Sequence, residues 1–264
     1  MPSAKDIVLR PVPAKDAHRF VRRHHYSGTS VQNSQLHLGI FLADRFVGVL
    51  QFGPSMDKRK LVGLVAGTGW NEFIELNRLA MVDDTPRNTE SRALAVAMRI
   101  IRRQYPHLQW VVSFADATQC GDGTIYRASG FVLTGIKKNT QIWVMSDDSI
   151  ATRASLTDTK SRAARSRTIS RLSAAKGKAI TDTGGASMKP FQALGARPVP
   201  GFQLRYIYFL DSTAKARLTV PEIPFARIAE VGAGMYKGKR RKDSSEPSAH
   251  HAEEGGAAPT PALQ

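Results

Sequence analysis

The stretch Glu75-Leu76-Asn77-Arg78-Leu79 sets a carboxylate, an amide and a guanidinium inside an apolar run of strand length, Phe73 to Met81. Buried polar groups destabilise a fold unless they are paired, and this trio can take up a proton, orient a substrate and hold an anion. Strict alternation puts Glu75, Asn77 and Leu79 on one face of the strand and Leu76 and Arg78 on the other. A catalytic site is the favoured reading; a structural ion pair of Glu75 with Arg78 or Arg92 is the competing one. A second carboxylate, Asp116, closes the buried run Trp110 to Ala115 at its carboxyl end, the usual place for ligand-handling groups in an open α/β sheet. Tyr126 follows in a short helix, either as a general acid or as a half-buried packing tyrosine.

Asp84 to Arg92 runs from a loop into a helix N-terminus, where free N–H groups and the helix dipole favour anions. Arg87 and Ser91 are the residues there that can hold a cofactor phosphate or carboxylate, with local helix capping as the other role for Ser91. His24-His25-Tyr26 ends the first helix with nitrogen and oxygen donors of a kind that suits iron, given a distant carboxylate such as Asp116. Its spacing supplies no paired-histidine motif, so the residues alone favour contact with the helix end or with solvent. The single cysteine, Cys120, excludes an intramolecular disulfide and a multi-cysteine zinc site, and it has no adjacent base to activate it.

The elements that position these residues follow from periodicity. Ile7 to Leu9 reads as a strand, Ala14 to His25 as a helix, and Leu36 to Leu42 with Phe46 to Phe52 as a hairpin about Ala43-Asp44-Arg45. Lys58-Arg59-Lys60 lies in the long connection to the central strand Phe73 to Met81. A helix runs from Asn88 or Thr89 to Gln104, with Ala93, Val96, Ala97, Ile100 and Ile101 as its buried stripe and Pro106 as its stop. After Trp110 to Ala115 comes a short helix ending at Gly130, then two strands, Phe131 to Ile136 and Gln141 to Met145, forming a hairpin. The expected fold is α/β (α+β), with a mixed, mostly antiparallel central sheet flanked by helices. Residues 1–149 form its core, 150–185 a basic insert, 186–236 a part that rejoins the core sheet through Gln203 to Leu210, and 237–264 a disordered tail. The insert has little to bury and reads equally as a basic arm or as a solvated linker.

Thirty-eight Lys and Arg against 22 Asp and Glu give a formal charge of +16 over 264 residues, which favours a polyanionic partner. Nucleic acid leads that class, and Lys58, Arg59, Lys60, Arg162, Arg165 and Arg167 are the expected phosphate contacts. No apolar run is long enough to span a bilayer and the first twenty residues carry no signal-like core, so a cytoplasmic protein with no membrane role is expected.

Four strings, His24 to Ser27, Val49 to Lys60, Glu75 to Ala80 and Ser113 to Phe131, make the chain similar to the Mom family of DNA-modification proteins of Mu-like bacteriophages. The resemblance covers roughly Phe20 to Met145. It implies a fold like the GCN5-related (GNAT) acyltransferases and conversion of adenine in double-stranded DNA to an N6-carbamoylmethyl derivative, which shields phage DNA from restriction in the host cytoplasm. It also implies iron held by His25, Tyr26 and Asp116, and functional roles for Arg78, Ser91 and Tyr126. It names no donor for the transferred group and leaves room for a homodimer. Acyl-CoA-dependent relatives of that fold carry Gln/Arg-x-x-Gly-x-Gly/Ala at the turn before the helix. Counted from Arg87, this chain has Glu90 and Arg92 at the glycine positions, so acetyl-CoA or acyl-CoA use is doubtful. An acyl-CoA-dependent N-acyltransferase on a small amine or protein, and a non-catalytic DNA-binding protein, are the alternatives.

Overall fold

The computed structural model of the chain describes residues 2–118, 121–157, 162–182, 187–199, 201–236 and 239–240. Strand Ile7–Pro11 (β1) and helix Ala14–His24 (α1) precede the hairpin of Leu36–Leu42 (β2) and Arg45–Gly53 (β3). Its turn holds Ala43 and Asp44 at φ 47° and 61°, the left-handed geometry that matches a two-residue connection to the twist of its strands. A single helical turn, Lys58–Leu61 (α2), leads to Phe73–Met81 (β4), Thr89–Gln104 (α3), Trp110–Asp116 (β5), Thr124–Ala128 (α4) and Val132–Asn139 (β6). Then come Ile142–Val144 (β7), Ile150–Thr152 (β8), Arg153–Thr157 (α5), Arg162–Lys176 (α6), Lys189–Ala193 (α7), Arg197–Pro198 (β9), Gly201–Phe209 (β10) and Ala226–Glu230 (α8). Met235–Tyr236 (β11) pairs with Lys239–Arg240 (β12). Of the expected disordered tail, only that last strand is among the described residues.

Seven strands form the central sheet in the order β1-β2-β3-β4-β5-β10-β6. Every neighbouring pair is antiparallel except β4 and β5, which α3 connects in parallel, so the mixed, mostly antiparallel sheet is as expected. One face packs on α3 through Ala93, Leu94, Ala97, Met98 and Ile101; Val96 and Ile100 of the expected stripe are only half-buried. Asn88, at φ 68°, turns the chain into α3, and Pro106 follows its end. Ala17, Phe20 and Val21 of α1 cover the other face against Val49 and Ala80. Further along the same face, Phe73 stacks on Trp110 with ring centroids 4.3 Å apart.

Two expectations change. The strands after Gly130 do not form a hairpin: β6 pairs with β10, which inserts between β5 and β6, while β7 joins β8 and β9 in a separate three-stranded sheet. The basic insert is neither an arm nor a linker with little to bury. Leu156, Ile169 and Leu172 pack with Trp143, Met145, Met188, Phe191 and Leu194 in a core of their own, because residues from both sides of the insert supply the apolar surface it lacks locally. Among the described residues, no helix is long and apolar enough to cross a membrane.

Candidate active site

The parallel pairing of β4 and β5 is short. It runs from Phe73↔Trp110 to Leu76↔Ser113; beyond that, β4 keeps its partner β3 up to Met81 and β5 keeps β10 up to Asp116. The two carboxyl-terminal halves therefore lose each other as neighbours, opening a notch in the middle of the sheet at the topological switch point. At the same place the register between β3 and β4 slips: Gln51 pairs with Arg78 and Phe52 with Leu76, leaving Asn77 as an extra residue. This β-bulge turns two successive side chains to one face. Packing shows the result: Leu76 and Leu79 both belong to the α3-facing core, whereas Ala80 joins the α1-facing one. Arg78 consequently lies on the same face as Glu75 and Asn77, not on the opposite one as strict alternation required.

These three groups are tied into the sheet. Asn77 is buried and its Oδ1 accepts from the Ser34 hydroxyl at 3.0 Å. Gly53 makes this approach possible, since a Cβ there would fall 2.8 Å from Asn77 Oδ1 and 2.4 Å from the Asn33 carbonyl oxygen. Half-buried Glu75 has its pKa raised by burial, partly offset by hydrogen bonds from Ser55 and Asn77 and by the charge of Arg78. Arg78 donates from Nε to the Thr29 carbonyl at 3.2 Å and from Nη1 to its neighbour Asn77 at 2.7 Å. Burial weakens its hold on the proton, while Tyr26, Glu75 and Tyr126 around it act in the opposite sense. No carboxylate among the described residues closes to ion-pair distance on Arg78, so the structural ion pair with Glu75 is not formed.

Tyr126 enters from α4 on the far side of the notch. Its ring stacks on Tyr206 with centroids 4.9 Å apart, and its hydroxyl accepts from Ser113 at 3.0 Å. The Tyr206 hydroxyl is itself held by the Asp122 carbonyl at 2.5 Å. Ser113 and Ser55 were missed by sequence reasoning, although a serine inside Val111-Val112-Ser113-Phe114-Ala115 was a visible polar interruption. Asp116, at the end of β5, accepts from the Thr118 amide at 2.9 Å and thereby closes the turn that follows the strand.

His25 also faces Arg78, and burial, with that guanidinium, pushes its pKa down to about 3. The imidazole is neutral, and Nδ1 lies 3.2 Å from the Ser27 amide and 2.8 Å from the Ser27 hydroxyl. In one tautomer Nδ1 accepts from that amide; in the other Nδ1–H donates to the Ser27 hydroxyl, which leaves the Nε2 lone pair open to a ligand. Tyr26 stacks on His25 at 4.3 Å between centroids and is 56% exposed. Among the described residues no three His, Cys, Asp or Glu side chains converge as a metal cluster would need. The expected donors His25, Tyr26 and Asp116, a neutral imidazole, a phenol and a carboxylate, are of the kinds that could hold iron.

The remaining expected residues lie elsewhere. Ser91 donates to the Asn88 carbonyl at 3.1 Å, a bond within its own turn, and Arg87 is exposed on the rim of a cavity of about 270 Å³ before α3. Lys58, Arg59 and Lys60 line α2, with Lys60 bound to Asp57. Arg167 is exposed on α6, and of Arg162 the side chain lies outside the described residues. Arg165 is a correction. It is 3% exposed, ligated by Asp182 at 3.0 Å, by the carbonyls of Leu156 and Ser187, and packed over Phe191, so it cannot reach a phosphate.

Residues 6–227 match the Mom protein family. "Methylcarbamoylase mom" of Escherichia phage Mu is 39% identical over 138 residues, which cover 52% of this chain and 57% of that protein. The match thus spans little more than half the length of that relative. Among solved structures, the IAA acetyltransferase from Bacillus cereus ATCC 14579 aligns with TM-score 0.40 and 10% identity, covering 77% of this chain and 99% of that one. The ribosomal-protein-S18-alanine N-acetyltransferase from Escherichia coli aligns with TM-score 0.41 and 10% identity, covering 78% and 94%.

Proposed function

The chain belongs to the Mom protein family, and from that premise we propose that it is a DNA-modifying transferase placing a carbamoylmethyl group on the N6 amine of adenine. Its relative in phage Mu bears the name methylcarbamoylase, which supports a transfer of this kind. The observation that carries the reading is the bulge at Asn77, which gathers Glu75, Asn77 and Arg78 on one face beside the notch that Tyr126 enters. The N6 amine is conjugated with the purine ring and is a weak nucleophile. As its bond to carbon forms, N6 must lose one proton, and the bond from that carbon to the donor's leaving group breaks with its electron pair. Glu75, whose proton affinity burial has raised, is placed to take the N6 proton. Arg78 sits beside it to hold the negative charge on the departing group, and the Tyr126 hydroxyl to return a proton to it. Asn77, held by Ser34 and bonded to Glu75, orients that carboxyl toward the acceptor base, which must leave the duplex stack to enter the notch.

Double-stranded DNA in the host cytoplasm is the proposed substrate, with Lys58, Arg59 and Arg167 on phosphates, and protection of phage DNA from restriction is the proposed outcome. An acyl-CoA reaction is disfavoured by Glu90 and Arg92 in the first turn of α3, where side chains crowd a pyrophosphate. Mass spectrometry of nucleosides from DNA of cells expressing the chain tests the proposal. A deoxyadenosine adduct carrying one carbamoylmethyl group is expected; unmodified deoxyadenosine alone, alongside a folded, expressed protein, would sink it.

A further inference from the structure

A cleft of about 940 Å³ opens at the amino-terminal end of β4, beyond Glu75 and away from the notch. Its walls hold Met56, Lys58, Arg59, Trp70 and Tyr105. Three of these are large hydrophobic side chains left in solvent: Met56 is 90% exposed, Trp70 52% and Tyr105 36%. Their shared place in one cleft sets them apart from singly exposed hydrophobic residues, which need no explanation. Lys58 Nζ hangs 5.1 Å above the Trp70 ring and donates to Asn71 Oδ1 at 3.2 Å. Neither Lys58 nor Arg59 has a carboxylate partner among the described residues, because the nearest one, Asp57, is taken by Lys60. Burial lowers the Lys58 pKa, as for a cation held partly out of water. Cations without an ion-pair partner beside partly exposed aromatic rings are the combination that binds unpaired nucleotides: phosphate on the cation, base on the open face of the ring. The cleft is linked to the candidate site by Ser55, which lines it and hydrogen-bonds Glu75.

We infer that this cleft takes an unpaired nucleotide of the DNA strand flanking the target, its base stacked on Trp70 and its phosphate held by Lys58 and Arg59. The inference rests on DNA being the substrate. A strand opened to extrude one adenine exposes neighbouring bases, and a stacking platform beside the site holds it open. Stacking on a ring is tolerant of base identity, so the contact reads unpairedness and not sequence.

Of the three tryptophans, Trp110 and Trp143 are buried, so solvent-sensitive emission reports Trp70. The test titrates the full chain with a fluorescein-labelled single-stranded oligonucleotide, reading anisotropy for affinity and, with an unlabelled copy, tryptophan emission for stacking. Quenching that saturates with binding is expected, and Trp70→Leu should abolish it and weaken affinity roughly 5- to 150-fold, the range a single base–aromatic stack spans. Arg59→Ala should flatten the salt dependence without removing the quenching. Tight binding with unquenched tryptophan and unchanged affinity in Trp70→Leu overturns the cleft while leaving the DNA reading intact. Equal quenching by free adenosine monophosphate at the same concentration overturns it in favour of a small-nucleotide site. No anisotropy change with any DNA removes the DNA reading, and this inference with it.

Discussion

Two arginines, Arg165 buried and Arg78 half-buried, divide the molecule. Arg165, in the smaller core around α6, has every direction filled: a carboxylate, two backbone carbonyls and the Phe191 ring. Arg78, at the notch, has two carbonyls, the second its own neighbour's, and no closed ion pair among the described residues. Arg165 completes a local charge balance, and its burial is structural. Arg78 lies among the Glu75 carboxyl, whose pKa burial raises, and the Tyr26 and Tyr126 rings, without a closed ion pair among the described residues, an arrangement we propose receives negative charge from the donor. A buried charge therefore signals function when its partners are incomplete, and the sequence shows the two arginines alike.

The comparison breaks most sharply on exchange to methionine. Arg78→Met should lower adenine modification by about 10²- to 10³-fold, the loss typical of one preorganised charge donor, with little change in thermal midpoint. Full activity in that variant would erase the distinction. Arg165→Met should do the reverse, destabilising the fold by about 3 kcal/mol in denaturant melts because it breaks the pair with Asp182 and the bonds to the Leu156 and Ser187 carbonyls. If the two variants melt alike, Arg165 is no more structural than Arg78.

His25 sharpens the contrast through pH. Its folded pKa, about 3, lies below the ordinary 6.5, so the unfolded chain binds the extra proton between those values. Stability should be complete above pH 6.5 and fall as pH drops, by no more than about 2 kcal/mol between pH 6.5 and 5 for one group. His25→Asn should flatten that slope; an unaltered slope assigns it to other groups. Metal analysis of the purified protein adds a check: stoichiometric iron that disappears in His25→Asn would support the His25, Tyr26 and Asp116 ligand set, and iron unchanged in that variant would remove His25 from it. The smallest effect belongs to an exposed pair. Lys60→Ala should shift stability by less than about 1 kcal/mol, because Lys60 and Asp57 are bound in solvent, and a larger shift would show that α2 is more than a surface turn.

Local pattern was enough for most elements: β4, α3 and the β2–β3 hairpin follow from apolar period, a capping turn and a short connection. It was also enough to single out Glu75, Asn77, Arg78 and Tyr126, because polar groups interrupting a buried run are visible without any contacts. Strand neighbours were beyond its reach. β10 enters between β5 and β6 from more than sixty residues away, and β7 leaves for another sheet, so the expected hairpin there was a sound local inference defeated by a non-local pairing. Arg165 sat in a basic stretch with few apolar neighbours in sequence, and only packing of Phe191 and Leu194 against α6 buried it. Trp70 and Tyr105 lie thirty-five residues apart, and folding alone set them in one cleft.

The polar strand Glu75 to Arg78 shows where the boundary falls. Its composition, fixed by sequence, determined that something there had to be compensated. Which face Arg78 took was decided by the slip between Gln51 and Phe52 against β4, a relation between two strands that neither carries by itself. A period of two is a property of one chain segment; the bulge that breaks it belongs to the pair.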